Sequence, residues 1–137
     1  MTLILSNAEV GELLTMPECL EALEEAYREL AEGRGVSRQR SDSIVRTNRA
    51  DALYSLKSMD GVIGKLGVGA VRINSDIITW PKFGNNMRRV KVPAAPNNRY
   101  TGLVLLFSSE TGEPLAIMPD GVMQRIRVGA ANGLGVK

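Results

Sequence analysis

The spacing of apolar residues changes along the chain from helical to extended, and this change predicts the secondary structure. Ser6 and Thr15 are each followed three residues later by glutamate, which is the arrangement of a capping box and predicts helices over 8–14 and 16–32. In the second helix, apolar residues recur every three or four positions and predict one buried stripe, with a charged, solvated face opposite. The stripe comprises Leu20, Leu23, Tyr27, Leu30 and Ala31, and the solvated face comprises Glu21, Glu24, Glu25, Arg28 and Glu29.

The rest of the chain consists mainly of short apolar runs that predict strands. Two of them, 103–107 and 115–118, flank a segment containing Gly112 and predict a hairpin. Asp60-Gly61 together with Gly64, and the Asp-Gly pair at 120–121, predict turns. Apolar spacing predicts a final helix over 122–137. Further strands are predicted at 3–5, 43–46, 52–59 and 66–74. Together these elements predict an α+β fold, a mixed, largely antiparallel sheet with packed helices.

Composition narrows the functional classes. The 137 residues correspond to one domain, and a net charge of +2, from 17 basic and 15 acidic residues, gives no argument for a nucleic-acid or membrane partner. The chain has no histidine, so histidine-based catalysis and histidine-ligated metal are excluded, and we expect no metal site. The single cysteine, Cys19, cannot form an internal disulfide and is expected to be a small apolar residue. With no signal peptide or membrane span in the pattern, we expect a cytoplasmic location.

None of the glycine-rich stretches has the spacing of a phosphate-binding loop. Gly67-Val68-Gly69 begins like a dinucleotide fingerprint, but Arg72 occupies the position of its third glycine. Gly64-Lys65 lacks the flanking residues of a P-loop, and the glycines at 129, 133 and 135 have the wrong spacing. We therefore recognise no nucleotide-binding unit and expect no cofactor to bind this chain alone.

The segment 82–99 is irregular in pattern and has five basic residues and no acidic one. Such a segment could contact phosphates, but aromatic residues among its cations are limited to Phe83 and the adjoining Tyr100, which is sparse for a single-stranded nucleic-acid surface. A solvated loop is the simpler interpretation, and nucleic-acid binding is left as a minor alternative that strongly salt-dependent affinity would support.

Four phrases of the sequence occur in a characteristic order. They are Arg40-Ser41-Asp42; Leu56-Lys57-Ser58-Met59-Asp60-Gly61; the hairpin from Thr101-Gly102 to Asp120-Gly121; and Ile126-Arg127-Val128-Gly129-Ala130-Ala131. In this order and spacing they resemble the ornithine cyclodeaminase/mu-crystallin family, over nearly the whole chain.

The resemblance implies an NAD(P)-linked protein that acts on an amino acid or a cyclic imine. Ornithine cyclodeaminase (a lyase that releases ammonia) and the imine reductases and amino-acid dehydrogenases (oxidoreductases) share this scaffold. It also implies a sheet-rich first domain that binds substrate and forms a homodimer, followed by a Rossmann domain. Because the sequence ends where the Rossmann domain would begin, we expect residues 1–137 to be a single substrate-binding and dimerisation domain that is catalytically incomplete alone.

The resemblance also assigns roles to individual residues. Arg40, Lys57 and Arg127 correspond to residues that bind the substrate carboxylate, and a guanidinium suits a bidentate grip on such a group. Lys57 is in addition the expected catalytic acid or base. Cofactor contacts would fall on Arg99, Thr101 and Arg127. We expect the three substrate-binding cations to converge on one pocket although they are distant in sequence.

Two questions stay open at this point. Arg72, Asn74 and Asp76 are candidates for the same pocket, but neither their spacing nor the resemblance assigns them a role. The competing hypothesis for the whole chain is a non-catalytic ligand-binding or oligomerisation module of the mu-crystallin type. A Gly-x-Gly-x-x-Ala/Gly stretch encoded directly downstream would favour the enzyme, and a stop codon would favour the module.

Overall fold

Residues 1–136, the part of the chain that the computed structural model describes, contain three helices and ten strands. A short 3₁₀ turn, Gly64–Leu66, separates the two longest strands. The elements in order are β1 (Leu3–Ile4), α1 (Asn7–Leu13), α2 (Met16–Ala31), β2 (Gly35–Ser37), β3 (Ser41–Arg46), β4 (Ala52–Ile63), β5 (Val68–Thr79), β6 (Lys82–Phe83), β7 (Asn86–Met87), β8 (Val90–Val92), β9 (Thr101–Ser108), β10 (Pro114–Pro119) and α3 (Asp120–Val136).

Eight of the strands form one sheet. Its order is β1-β10-β9-β5-β4-β2, with β3 also paired to β4 and β8 also paired to β5. The β1–β10 pair is parallel, and the other pairs in this sheet are antiparallel. The prediction of an α+β fold with a mixed, largely antiparallel sheet is therefore confirmed, and the predicted hairpin is present as β9 and β10.

The two N-terminal helices begin where local sequence predicts. The Ser6 and Glu9 side chains each accept a hydrogen bond from the other residue's backbone N–H, at 3.3 and 2.7 Å respectively. Thr15 and Glu18 form the same reciprocal arrangement at the start of α2. Both capping boxes satisfy backbone donors that a helix start would otherwise leave unpaired, which fixes each first turn.

The predicted faces of α2 need three corrections. Tyr27 and Ala31, assigned to the buried stripe, are exposed, whereas Glu29, assigned to the solvated face, is fully buried. The reason lies just beyond the helix, where Arg34 turns back and its Nε and Nη2 donate to the two Glu29 carboxylate oxygens at 3.0 and 2.6 Å. A charged residue with a bidentate partner can be buried, and helical spacing alone does not reveal that partner. Cys19 is buried, as expected of a small apolar residue.

The turn predicted at Asp60-Gly61 and Gly64 is wrong for Asp60 and Gly61, which lie inside β4, and confirmed at Gly64, because the chain reverses at Gly64–Leu66. Gly61 has a different function, since a Cβ on it would lie 2.9 Å from the Val36 carbonyl oxygen of β2. The glycine thus allows the close approach of an edge strand. The left-handed residue of the reversal is Gly67, at φ 65°.

The second predicted turn, at Asp120-Gly121, is also wrong, because α3 begins at Asp120. The Val122 backbone N–H donates to the Asn7 side-chain oxygen at 3.2 Å, which ties this helix start to α1. Farther along, Gly129 and Gly133 face Met16 and Leu20 of α2. A Cβ on either glycine would lie 3.4 or 3.6 Å from these side chains, which is an ordinary contact distance, so the packing of α2 on α3 does not require glycine there. Lys137, with which the predicted helix ends, lies outside the described residues.

Candidate functional site

A row of polar residues crosses the middle of the sheet on one face. Lys57 of β4 lies directly opposite Asp42 of β3 and opposite Asn74 of β5, and Asn74 lies opposite Gly102 of β9. Directly paired residues place their side chains on the same face of a sheet. The pairing therefore brings charged groups from distant parts of the sequence together in a position where apolar packing would be usual.

Lys57 and Asp76 form the most deeply buried ion pair of this row. Lys57 is 3% exposed and Asp76 is 4% exposed. The Lys57 ammonium donates a hydrogen bond to Asp76 Oδ2, and the same oxygen lies 3.0 Å from the ammonium of Lys91 on β8. Removing two charges from water is expensive unless each is paired, so the three groups depend on each other.

The pKa of the Asp76 carboxyl reflects these neighbours. Burial on its own raises the pKa, but hydrogen bonds from Lys57 and Lys91, together with their positive charges, outweigh it and hold the pKa below the ordinary value of 3.8. At neutral pH this carboxyl is therefore a stable anion rather than a proton donor.

The lowered pKa of Asp76 predicts how stability depends on pH. Because the folded protein binds this proton more weakly than the unfolded chain, Asp76 contributes stability above pH 3.8 and loses it as the pH falls through the lower pKa of the folded state. Urea unfolding between pH 6 and pH 2.5 should therefore show a decline below about pH 4 that is shallower in an Asp76→Asn variant. Equal acid dependence in the two proteins would contradict this assignment.

A second ion pair closes the row at the start of α3. The Asp120 carboxylate accepts from Arg72 Nε at 2.9 and 2.8 Å, from Arg72 Nη2 at 2.6 Å, and from Asn74 Nδ2 at 3.0 Å. Gly102 makes room for this contact, since a Cβ there would lie 2.6 Å from Asn74 Nδ2 and 3.0 Å from the Asp120 Cβ. The first residue of α3 is thus fixed to the centre of the sheet.

A cavity of about 570 Å³ opens beside these two ion pairs. Its lining combines Asp76 and Asp120 with the segment that the sequence suggested to be a solvated loop. Because β8 pairs with β5, this segment is held against the site. The lining residues are Asn74, Asp76, Phe83, Arg88, Arg89, Val90, Lys91, Tyr100, Thr101, Gly102, Asp120, Gly121 and Gln124. A volume of this size accommodates a small molecule.

The five residues that the sequence suggested for the site do not all line this cavity. Arg40 lies next to the polar row, because its Nε donates to Asp42 Oδ2 at 2.8 Å and Asp42 pairs with Lys57. Thr101 lines the cavity, and Arg99 lines a smaller neighbouring pocket of about 180 Å³ that Thr101 also borders.

Arg127 is half-buried on α3. It lies seven residues after Asp120 and so on the same side of the helix, two turns farther on. Arg40 directly precedes β3, which pairs with the strand of Lys57, whereas the convergence of Arg40, Lys57 and Arg127 on one pocket stays a prediction.

Asp120 and the cations of 88–91 are the site residues that sequence reasoning missed. For β5 a signal was present, because Arg72, Asn74 and Asp76 alternate on one face of a predicted strand, and three polar residues there indicate a buried polar cluster. Among residues 1–136 no cluster of three or more acidic or cysteine side chains could hold a metal ion. No helix in this part of the chain is long and apolar enough to cross a bilayer.

The fold and the cavity define a mixed α+β domain of a kind that can hold a small molecule beside buried charged groups. The family model described as ornithine cyclodeaminase/mu-crystallin family matches this sequence over residues 1–137. The chain belongs to the ornithine cyclodeaminase/mu-crystallin family. No curated protein matches the sequence significantly.

Solved structures with the same fold are enzymes of this family type. A probable ornithine cyclodeaminase from Bordetella pertussis Tohama I superposes with a TM-score of 0.71 at 20% identity, over 98% of this chain and 35% of its own. An archaeal alanine dehydrogenase dimer with bound NAD gives 0.69 at 28% identity, over 96% of this chain and 35% of its own. A Δ1-pyrroline-2-carboxylate reductase from Thermococcus litoralis, in complex with NADH and L-proline, gives 0.68 at 24% identity, over 96% and 36%. This chain therefore spans about a third of the length of these proteins.

The start of α3 does not have the features of a dinucleotide site. A pyrophosphate normally binds at a glycine-lined helix N-terminus, where backbone N–H groups are free. The α3 helix begins instead with the carboxylate of Asp120, which would repel a phosphate. The cofactor contacts suggested for Arg99, Thr101 and Arg127 stay a prediction.

Proposed function

We propose that residues 1–137 form the substrate-binding part of an ornithine cyclodeaminase-like, NAD(P)-dependent protein that acts on an amino acid or a cyclic imine. The observation that carries the proposal is the buried Lys57–Asp76 pair beside the cavity, in a chain that matches the family over its whole length. The nicotinamide would be held by residues outside this segment, so the chain alone would be catalytically incomplete.

The proposed division of roles follows from charge and position. Arg40 and Arg127 would bind the α-carboxylate of the substrate, because guanidinium groups make strong paired hydrogen bonds to carboxylates. Lys57 would give or accept the proton at the amino or imino nitrogen. Asp76, which touches Lys57 and lines the cavity, would keep the lysine ammonium oriented until substrate enters.

Binding of simple amino acids to the 137-residue chain tests this proposal. We expect L-ornithine, L-proline or L-alanine to bind in the millimolar range by NMR titration, and we expect Lys57→Gln and Arg40→Gln to weaken binding by roughly tenfold or more, as loss of a charged hydrogen bond does. Arg49→Gln, which breaks an exposed ion pair with Asp51, is the matched control. NAD and NADP should give no heat in calorimetry at micromolar concentration. Micromolar binding of either dinucleotide, or no binding of any amino acid, the acidic ones included, would contradict the proposal.

The oligomerisation alternative is favoured by one specific observation. Val45, Leu56, Val62 and Leu103 share the face of the sheet opposite the polar row, and they are 58%, 41%, 43% and 45% exposed. Exposed apolar side chains grouped on one sheet face mark a surface for association. The two roles are compatible, because the cavity and this surface lie on opposite faces.

We therefore expect the chain to form a homodimer through this face. Sedimentation velocity at roughly 10–200 µM protein should show a dimer. Leu56→Lys should shift the protein towards monomer, because a lysine ammonium resists burial in an apolar interface. Thr111→Lys, at an exposed position in the turn between β9 and β10 and away from this face, controls for added charge. A stable monomer of the unmodified chain at the highest concentration would contradict the expectation.

A further inference from the structure

The cavity holds more positive charge than its own carboxylates neutralise. Asp76 is already paired with Lys57 and Lys91, and Asp120 is already paired with Arg72 and hydrogen-bonded by Asn74. Both carboxylates of the lining are therefore satisfied within the protein. A positively charged group on a ligand that enters the cavity would therefore gain little from interaction with Asp76 or Asp120.

Two further cations face the same space without a carboxylate of their own. Arg88 and Arg89 line the cavity and are exposed. Among residues 1–136, neither guanidinium takes part in an ion pair or in a side-chain hydrogen bond. Each guanidinium presents five N–H donors in a planar fork that matches a carboxylate.

The two arginines are held at the cavity by the fold. They join β7 to β8, and the Arg88 backbone N–H donates to the Pro81 carbonyl oxygen at 3.2 Å. On their C-terminal side, β8 pairs with β5 and its Lys91 is bound to Asp76. The arginines thus lie between two anchored points, and this limits the entropy that a ligand must remove on binding.

We infer that the substrate carries a second negative charge, a carboxylate at the end of its side chain, and that Arg88 and Arg89 bind it. The inference rests on the proposed function, in which the α-carboxylate is bound by Arg40 and Arg127. Phe83 and Val90 lie in the same lining and supply apolar contact for the methylene groups between the two carboxylates. The substrate class is then an acidic amino acid or the corresponding imino acid rather than an apolar or basic one.

Isosteric pairs of amino acids test this inference directly. L-Glutamate and L-glutamine differ in charge but hardly in shape, as do L-aspartate and L-asparagine, and NMR titration of the 137-residue chain gives a Kd for each. We expect at least one acid to bind roughly tenfold or more tightly than its amide, because a charge-assisted hydrogen-bonded pair adds about that much affinity. Arg88→Gln and Arg89→Gln should each lower the ratio of amide Kd to acid Kd towards one. The Kd of the amide should stay within about twofold of its value for the unmodified chain.

The control and the outcomes separate this inference from the proposed function. Arg46→Gln removes an exposed guanidinium at the end of β3, outside the cavity lining, and should leave the preference intact. Equal binding of acid and amide, or a preference that survives both arginine substitutions, overturns the inference and leaves the proposed function standing. If no acid and no amide binds, and L-ornithine, L-proline and L-alanine also fail to bind, both are overturned.

Discussion

Replacement of Asp76 by asparagine should lower the free energy of unfolding by about 3–5 kcal/mol, the usual cost of removing one partner from a buried ion pair. The substitution preserves shape but leaves the Lys57 ammonium, whose side chain is 4% exposed, without a negative partner. Lys91 retains much of its solvation, because its side chain is 43% exposed, so the cost arises mainly at Lys57.

Urea denaturation at pH 7 measures this effect, provided that the slope of the unfolding free energy against urea is unchanged. Asp51→Asn is the matched control, since the Arg49–Asp51 pair has side chains 52% and 67% exposed and its loss should cost at most about 1 kcal/mol. A double variant, Lys57→Met with Asp76→Leu, should recover most of the lost stability because it removes both buried charges together. If Asp76→Asn cost no more than Asp51→Asn, the Lys57–Asp76 pair would not be the buried group described here.

Features set by local sequence could be predicted. The capping boxes at Ser6 and Thr15 act over three residues, and both helices begin within one residue of the predicted start. The β9–β10 hairpin likewise follows from two apolar runs and a glycine between them. In each case the residues that determine the structure lie within about one turn or one hairpin of each other.

Features set by distant residues could not be predicted in the same way. Asp120 and Gly121 have the composition of a turn, yet they begin α3 because Arg72, 48 residues earlier, holds the Asp120 carboxylate. Glu29 has the spacing of a solvated residue and is buried by Arg34. A glycine-containing pair or a glutamate has several satisfactory environments, and long-range pairing decides between them.

The candidate site likewise contains one residue that local sequence predicts and others that only long-range pairing brings together. Lys57 could be proposed from a resemblance carried by contiguous phrases, and the structure places it in the polar row. Its partner Asp76 is 19 residues away on the next strand, and only the β4–β5 register brings the two side chains together. The cations of 88–91 carry no motif, and they reach the cavity only because β8 pairs with β5. The sequence therefore predicts the candidate lysine better than it predicts the residues that surround it.

Replacement of Asp120 by alanine should have the second largest effect on stability, about 2–3 kcal/mol. The expected cost is smaller than for Asp76, because the Arg72 side chain is 18% exposed and can recover part of its hydration. The loss would still include three hydrogen bonds from Arg72, one from Asn74, and the favourable interaction of a carboxylate with the first turn of α3.

A double-mutant cycle with Arg72→Met separates the ion pair from these other contributions. Residues in direct contact normally show coupling energies of about 0.5–3 kcal/mol, and the bidentate geometry places this pair towards the upper end of that range. The same cycle on Arg40 and Asp42, whose side chains are 49% and 24% exposed, should give at most about 1 kcal/mol. Because Asp120 also lines the cavity, its loss should reduce amino-acid binding at a urea concentration where the variant is still folded. Additive effects of Arg72→Met and Asp120→Ala would mean that the start of α3 is fixed by its contacts with α1 and α2 rather than by the sheet.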